Sequence, residues 1–180
     1  NAPHIPVHLG SMSESIHVVM REHSDMQPGD AFVLNTPYNG GTHLPDVTVV
    51  KPVFISDSQR ADFFVAARGH HADIGGITPG SMPAYSQHIE EEGVLLDNLV
   101  LMRAGEFQES SLREVLLSAK YPARNPDQNI ADLMAQLAAC EKGAEELKRL
   151  CQQYGSDTVH AYMKYVQDNA EQTLRDCLAQ

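Results

Sequence analysis

The sequence predicts an α+β fold, with a mixed β-sheet in the N-terminal part and an antiparallel helical hairpin at the C-terminal end. Three observations carry that expectation. Residues 1–125 hold short β-branched and aromatic runs punctuated by Gly and Pro. Residues 126–180 instead repeat their apolar positions with a helical period. Strands therefore come first and long helices last.

Taken in order, residues 11–22 read as a short helix with Met12, Ile16, Val19 and Met20 inward. Runs at 31–35, 47–55 and 62–68 are bounded by turn residues and read as strands, as does 94–102. Ser56-Asp57-Ser58-Gln59 is the polar turn between the second and third. Further helices are expected over 84–92 and 109–118. Asn129 suits a helix N-cap, with Asp132 favouring the positive end of that helix. Ile130, Leu133, Met134, Leu137, Ala138, Ala144, Leu147, Leu150 and Cys151 form its apolar stripe, and Gly155 stops it. A last helix from Ser156 or Asp157 places Val159, Tyr162, Met163, Val166, Ala170, Leu174 and Cys177 on one face. The short link between the two favours a hairpin packed against the rest of the domain.

At 180 residues the chain has room for one ordinary domain, or for a piece of a larger one. Thirteen basic against 24 acidic residues give a formal charge of −11, which argues against nucleic acid or an anionic membrane as partner. No apolar run is long enough to span a membrane. The acidic balance suits a cytoplasmic protein. Asn1-Ala2-Pro3-His4 carries no signal pattern and reads as the interior of a longer polypeptide. Cys140, Cys151 and Cys177, odd in number and all in helical sequence, suit reduced and inert thiols.

The chemistry is expected in two glycine-rich segments. Eight of the nine histidines precede residue 89. Gly40-Gly41-Thr42-His43-Leu44-Pro45-Asp46 joins one strand to the next. Arg68-Gly69-His70-His71-Ala72-Asp73-Ile74-Gly75-Gly76 follows the third strand. Each places a His and an Asp three apart at a strand end, among glycines that admit close approach of backbone. Two or three imidazoles with a carboxylate can hold a catalytic divalent metal with an open position. His43, Asp46, His70, His71 and Asp73 are thus the candidate catalytic residues, and His43, Asp46, His70 and His71 the candidate ligands. The plainer account makes the histidines structural and the aspartates turn caps. Ser81 has no base placed to activate it. Glu90-Glu91-Glu92 reads as a solvated face, Arg124 and Asn125 as isolated polar residues, and Gly75–Gly80 lacks the Gly-Lys-Ser/Thr of a phosphate-binding loop.

These same segments carry a family resemblance. Gly29 through Asn35 leading to Pro37-Tyr38-Asn39-Gly40-Gly41-Thr42-His43-Leu44-Pro45-Asp46 resembles the hydantoinase B/5-oxoprolinase pattern, and so does Arg68 through Gly80. Glu91-Glu92-Gly93, Asn129-Ile130-Ala131-Asp132-Leu133 with Ala135-Gln136, and Tyr162-Met163 with Asn169-Ala170-Glu171 extend the likeness over essentially the whole chain. One departure is Thr36, where the family commonly has Asp. The resemblance implies a fragment of the B part of an ATP-dependent cyclic-amide hydrolase opening 5-oxoproline or a hydantoin. It implies a divalent metal, Zn or Mn, on His43, Asp46 and one of His70 or His71, with Asp73 nearby. ATP and Mg would sit on a hydantoinase A-type part, on the same chain or a separate subunit, and the intact enzyme would be an oligomer. Two other readings are a ketone carboxylase of the same superfamily and a metal- or partner-binding scaffold without activity.

Overall fold

The computed structural model describes residues 5–55, 59–80 and 83–179. The chain divides into two compact units, Asn1–Lys142 and Gly143–Gln180. The boundary falls inside a long helix.

The first unit is built on five strands, β1 (Ala31–Leu34), β2 (Asp46–Val53), β3 (Phe63–His70), β4 (Leu99–Arg103) and β5 (Glu106–Phe107). They lie in the order β3-β2-β1-β4-β5. Every pairing is antiparallel, so the α+β class holds while the expected mixture of strand directions is replaced by a wholly antiparallel sheet. The direct connections β1–β2, β2–β3 and β4–β5 favour antiparallel neighbours, since parallel ones need long crossovers, and the long connection over residues 71–98 returns β4 antiparallel beside β1. The turn expected at Ser56-Asp57-Ser58 lies outside the described residues, as do Asn1–His4 and Ser81.

Both faces of the sheet are covered, and strand alternation sorts the side chains between them. On one face α1 (Ile5–Glu22) packs Val19 against Phe32, Leu34 and Val50. On the other, α2 (Glu109–Ser118) and the first part of α3 (Pro126–Tyr154) bring Leu112, Leu116, Ile130, Leu133 and Leu137 onto Val33, Val47, Val49 and Leu101. α1 begins earlier than expected, and its Met20 is exposed while Val18 and Ser15 are buried.

Three local expectations change. Residues 94–98 are not strand. Val94 and Leu96 are buried, but their backbone is claimed by the Asn35 side chain, which donates to Val94 O and accepts from Leu96 N. The helix over 84–92 contracts to one 3-10 turn, Ile89–Glu91. Here the Glu91 carboxylate accepts from the Gln87 and His88 amides, and such local bonds compete with a helix ladder. Those bonds hold the Glu91 carboxyl below its ordinary pKa. Finally, α3 starts at Pro126, a residue favoured in a helix's first turn, so Asn129 is inside the helix rather than its N-cap.

In the second unit the end of α3 is followed by α4 (Ser156–Leu178). Gly155 joins them with a φ of 84°, a conformation that glycine adopts without strain. Ala144, Cys151 and Val159 are buried there, but Tyr162, Met163, Val166 and Leu174 are exposed, contrary to the packed stripe expected. Cys140 and Cys151 are buried free thiols, whereas Cys177 is exposed. No helix among the described residues is long and apolar enough to cross a membrane.

Candidate functional site

The site forms where β2 begins and β3 ends. Asp46 and His70 are cross-strand partners, so the antiparallel register alone places them side by side. His43 arrives from the loop before β2, in a turn closed by the Asp46 amide bonding to His43 O at 3.0 Å. Its approach depends on Asn35, which is fully buried and donates to Leu44 O at 2.9 Å. Gly41 is essential to that path, because a Cβ there would lie 2.2 Å from Asn35 O.

The resulting geometry centres on one carboxylate. His43 Nδ1 lies 3.0 Å from Asp46 Oδ2, and His70 Nδ1 lies 3.0 Å from Asp46 Oδ1. His8 of α1 brings a third imidazole, its Nδ1 3.7 Å from Asp46 Oδ2. The Asp46 side chain is 7% exposed, while those of His43 and His70 are 30% and 50% exposed. A carboxylate this enclosed needs polar compensation, and the imidazoles supply it. Behind them Arg68 donates to Thr48 Oγ1 at 2.8 Å and to the hydroxyls of Ser11 and Ser15, tying α1 to the sheet. Burial pushes the Arg68 pKa down from its ordinary value, and the charge of Asp46 pulls it back up.

The donor atoms of His43, Asp46 and His70 all lie within 4.8 Å of one another. Ligand atoms sharing one divalent ion at bonds of about 2.0–2.2 Å must lie within about 4.4 Å of one another, a separation this group approaches. Two imidazoles and a carboxylate so gathered are of the donor type that suits a divalent cation.

The other two candidates lie apart from this cluster. His71 is 2% exposed, with Nε2 3.0 Å from Gln136 Oε1 and Nδ1 3.1 Å from Asn129 Nδ2. Alternation along the strand end turns it toward α3, the opposite way from His70. Burial pushes its pKa down. Asp73 binds Arg124, accepting from its guanidinium at 2.7 Å and its amide at 2.9 Å. It fastens the loop after β3 to residues 122–124 and does not reach Asp46's group. Thr36 also lies elsewhere, buried, with its hydroxyl 3.4 Å from Leu96 O.

Sequence reasoning reads Asn35 as a turn residue that could line the pocket, and misses its role in bridging the backbone of Leu44, Val94 and Leu96, as well as Gln136 and the pairing of Arg124 with Asp73. For Gln136 a signal existed. Asn129 and Gln136 are polar residues two turns apart on a stripe that is otherwise apolar, and such residues bury only with partners.

An α+β domain that gathers two imidazoles and an enclosed carboxylate at the ends of neighbouring strands is the class that fold and site define. Residues 1–180 match the family model described as hydantoinase B/oxoprolinase, and the chain belongs to that family. It is 46% identical over 187 residues to 5-oxoprolinase 1 of Arabidopsis thaliana, covering 99% of this chain and 15% of that protein. The crystal structure of the ATP-dependent caprolactamase of Pseudomonas jessenii superposes with a TM-score of 0.81 at 30% identity. That match covers 96% of this chain and 29% of the caprolactamase chain. A nucleotide-free acetone carboxylase shares the fold, with a TM-score of 0.67, 19% identity, and coverage of 88% of this chain and 20% of that one. The chain therefore spans a minor part of each of these proteins.

Proposed function

We propose that this chain forms one wall of the hydrolytic centre of an ATP-dependent cyclic-amide hydrolase, with 5-oxoproline or a hydantoin as substrate. The observation that supports this reading most is the convergence of His43 and His70 on Asp46, in a chain whose relatives include a 5-oxoprolinase and a caprolactamase. A lactam carbon is a poor electrophile until its oxygen is phosphorylated, so ring opening needs ATP as well as water. ATP and Mg are assigned to a hydantoinase A-type part, on the same chain or on a partner subunit.

The residues of this chain hold the hydrolytic side. His43, Asp46 and His70 would ligate a divalent ion, Zn or Mn, which when bound polarises an oxygen or acidifies water. Asp46, enclosed among imidazoles, keeps the two histidine rings aimed at a common point. His70, half exposed, is the member of the set most open to solvent. Arg68 fixes the floor between α1 and the strands. One water adds to the phosphorylated carbon and the ring C–N bond breaks, giving an amine and an acyl phosphate; a second water then releases phosphate and leaves the carboxylate, so that 5-oxoproline, ATP and two waters give glutamate, ADP and phosphate.

ATP-coupled glutamate release by the full-length protein tests this, measured beside its His43→Ala variant. Loss of turnover in the variant is expected; unchanged turnover removes the assigned role.

A further inference from the structure

We infer that Gln136 and Asn129 of α3 are positioning residues for the His43/Asp46/His70 centre, acting through a side-chain relay whose middle member is His71. The inference rests on the metal reading of that centre.

The direction of every hydrogen bond in the relay is fixed from its two ends. Gln136 Nε2 lies 2.8 Å from Val47 O and 3.0 Å from Ala67 O, and carbonyls only accept. The amide nitrogen therefore faces the sheet, and Oε1 faces His71. His71 Nε2, 3.0 Å from Oε1, must carry the proton. Its Nδ1 is then an acceptor, which suits Asn129 Nδ2 at 3.1 Å. The same Asn129 nitrogen donates to Asp73 O at 2.8 Å, and that carbonyl fixes the Asn orientation at the far end. This orientation leaves Asn129 Oδ1 buried with no partner. The amide is held in this orientation by its two donor bonds.

The relay grips the backbone next to both ligand-bearing positions. Val47 follows Asp46, and His71 follows His70. The His71 amide also donates to Pro45 O at 2.8 Å, closing the link between the two strand ends. Gly69 makes room for it, since a Cβ there would lie 3.3 Å from Gln136 Cδ. A sliding or splaying of β2 against β3 would separate Asp46 from His70, and the relay opposes that motion from the face the ligands do not use. Imidazole groups in metal centres are commonly oriented by outer partners whose loss weakens metal binding. Here the partner acts one residue away, through strand geometry instead of through the ligating ring.

The test is Zn2+ affinity of the full-length protein, by chelator competition, together with the visible spectrum of the Co2+ form. Gln136→Met keeps the side-chain volume and removes every polar contact. Gln136→Glu keeps the acceptor for His71 and removes both donors to the sheet. Leu133→Ala, one turn away in the apolar core, is the reference for destabilisation alone. Both Gln136 variants are expected to bind Zn2+ about 10–100-fold more weakly and to shift the Co2+ spectrum, while Leu133→Ala lowers the melting temperature with affinity unchanged. Either Gln136 variant binding within about twofold of wild type, with an unshifted spectrum, overturns the relay. So does an equal loss in Leu133→Ala. His43→Ala separates the two readings: if it leaves Zn2+ binding intact, the metal centre itself is wrong; if it abolishes binding while Gln136→Met does not weaken it, only the relay is.

Discussion

His70 and His71 are adjacent in sequence and opposite in circumstance. One is half exposed, against a carboxylate; the other is buried, bound at both nitrogens, and faces a helix. The difference comes from the period of the β-strand and from what covers each face. On the His70 side, among the described residues, the His43 loop and α1 lie near, and α1 brings polar groups, His8, Ser11 and Ser15. On the His71 side α3 lies over the strands and presents two amides. A paired His-His motif at a strand end thus supplies one group free to act and one that is committed to holding the backbone.

That contrast can be broken by substitution. His70→Ala or His43→Ala is expected to lower ATP-coupled turnover of the full-length protein by more than about 100-fold, beyond the range for outer partners, with a melting temperature close to wild type because both rings are partly exposed. Steady-state assays beside thermal unfolding check both halves. Next in size is Gly41→Ala, whose new Cβ meets Asn35 O at 2.2 Å. It should cost roughly 2–3 kcal/mol of stability by forcing the His43 loop off its path, read by denaturant titration. His71→Leu should act in the opposite sense to His70→Ala. It leaves buried polar atoms of Asn129 and Gln136 unpartnered, for a loss of about 1–3 kcal/mol, yet at saturating Zn2+ the protein should still load.

The smallest effect concerns the thiols. Burial pushes the Cys140 pKa up to about 11, so at pH 8 it is almost wholly protonated and unreactive. Exposed Cys177 should react quickly with a thiol reagent and Cys140 only on unfolding, with turnover unaffected by the Cys177 adduct.

Much of this was legible in the sequence, for reasons that differ by element. α2 falls on its expected residues, and β2 and β3 fall within one or two residues of theirs, because periodicity and turn residues act locally. The spacing of His43 and Asp46 at a strand end pointed to their pairing. The register that brings His70 to Asp46 is a long-range choice, and no local pattern separates His70 from His71 until the face that α3 covers is known. Residues 94–98 look like strand because Val94, Leu95 and Leu96 are apolar, yet a single Asn35 side chain takes the place of a ladder. Met20 and the stripe of α4 show the converse: an apolar residue at a helical spacing states what a face could bury, and not that something covers it.

Metal stoichiometry of the full-length protein, with and without the central carboxylate, tests the account most directly. Purified protein dialysed against Zn2+ or Mn2+ should retain one tightly held ion at this centre, lost in Asp46→Ala and kept in Leu133→Ala. Retention of that ion by Asp46→Ala, or its absence from the wild-type centre, would contradict the assignment of His43, Asp46 and His70 as a metal-binding set.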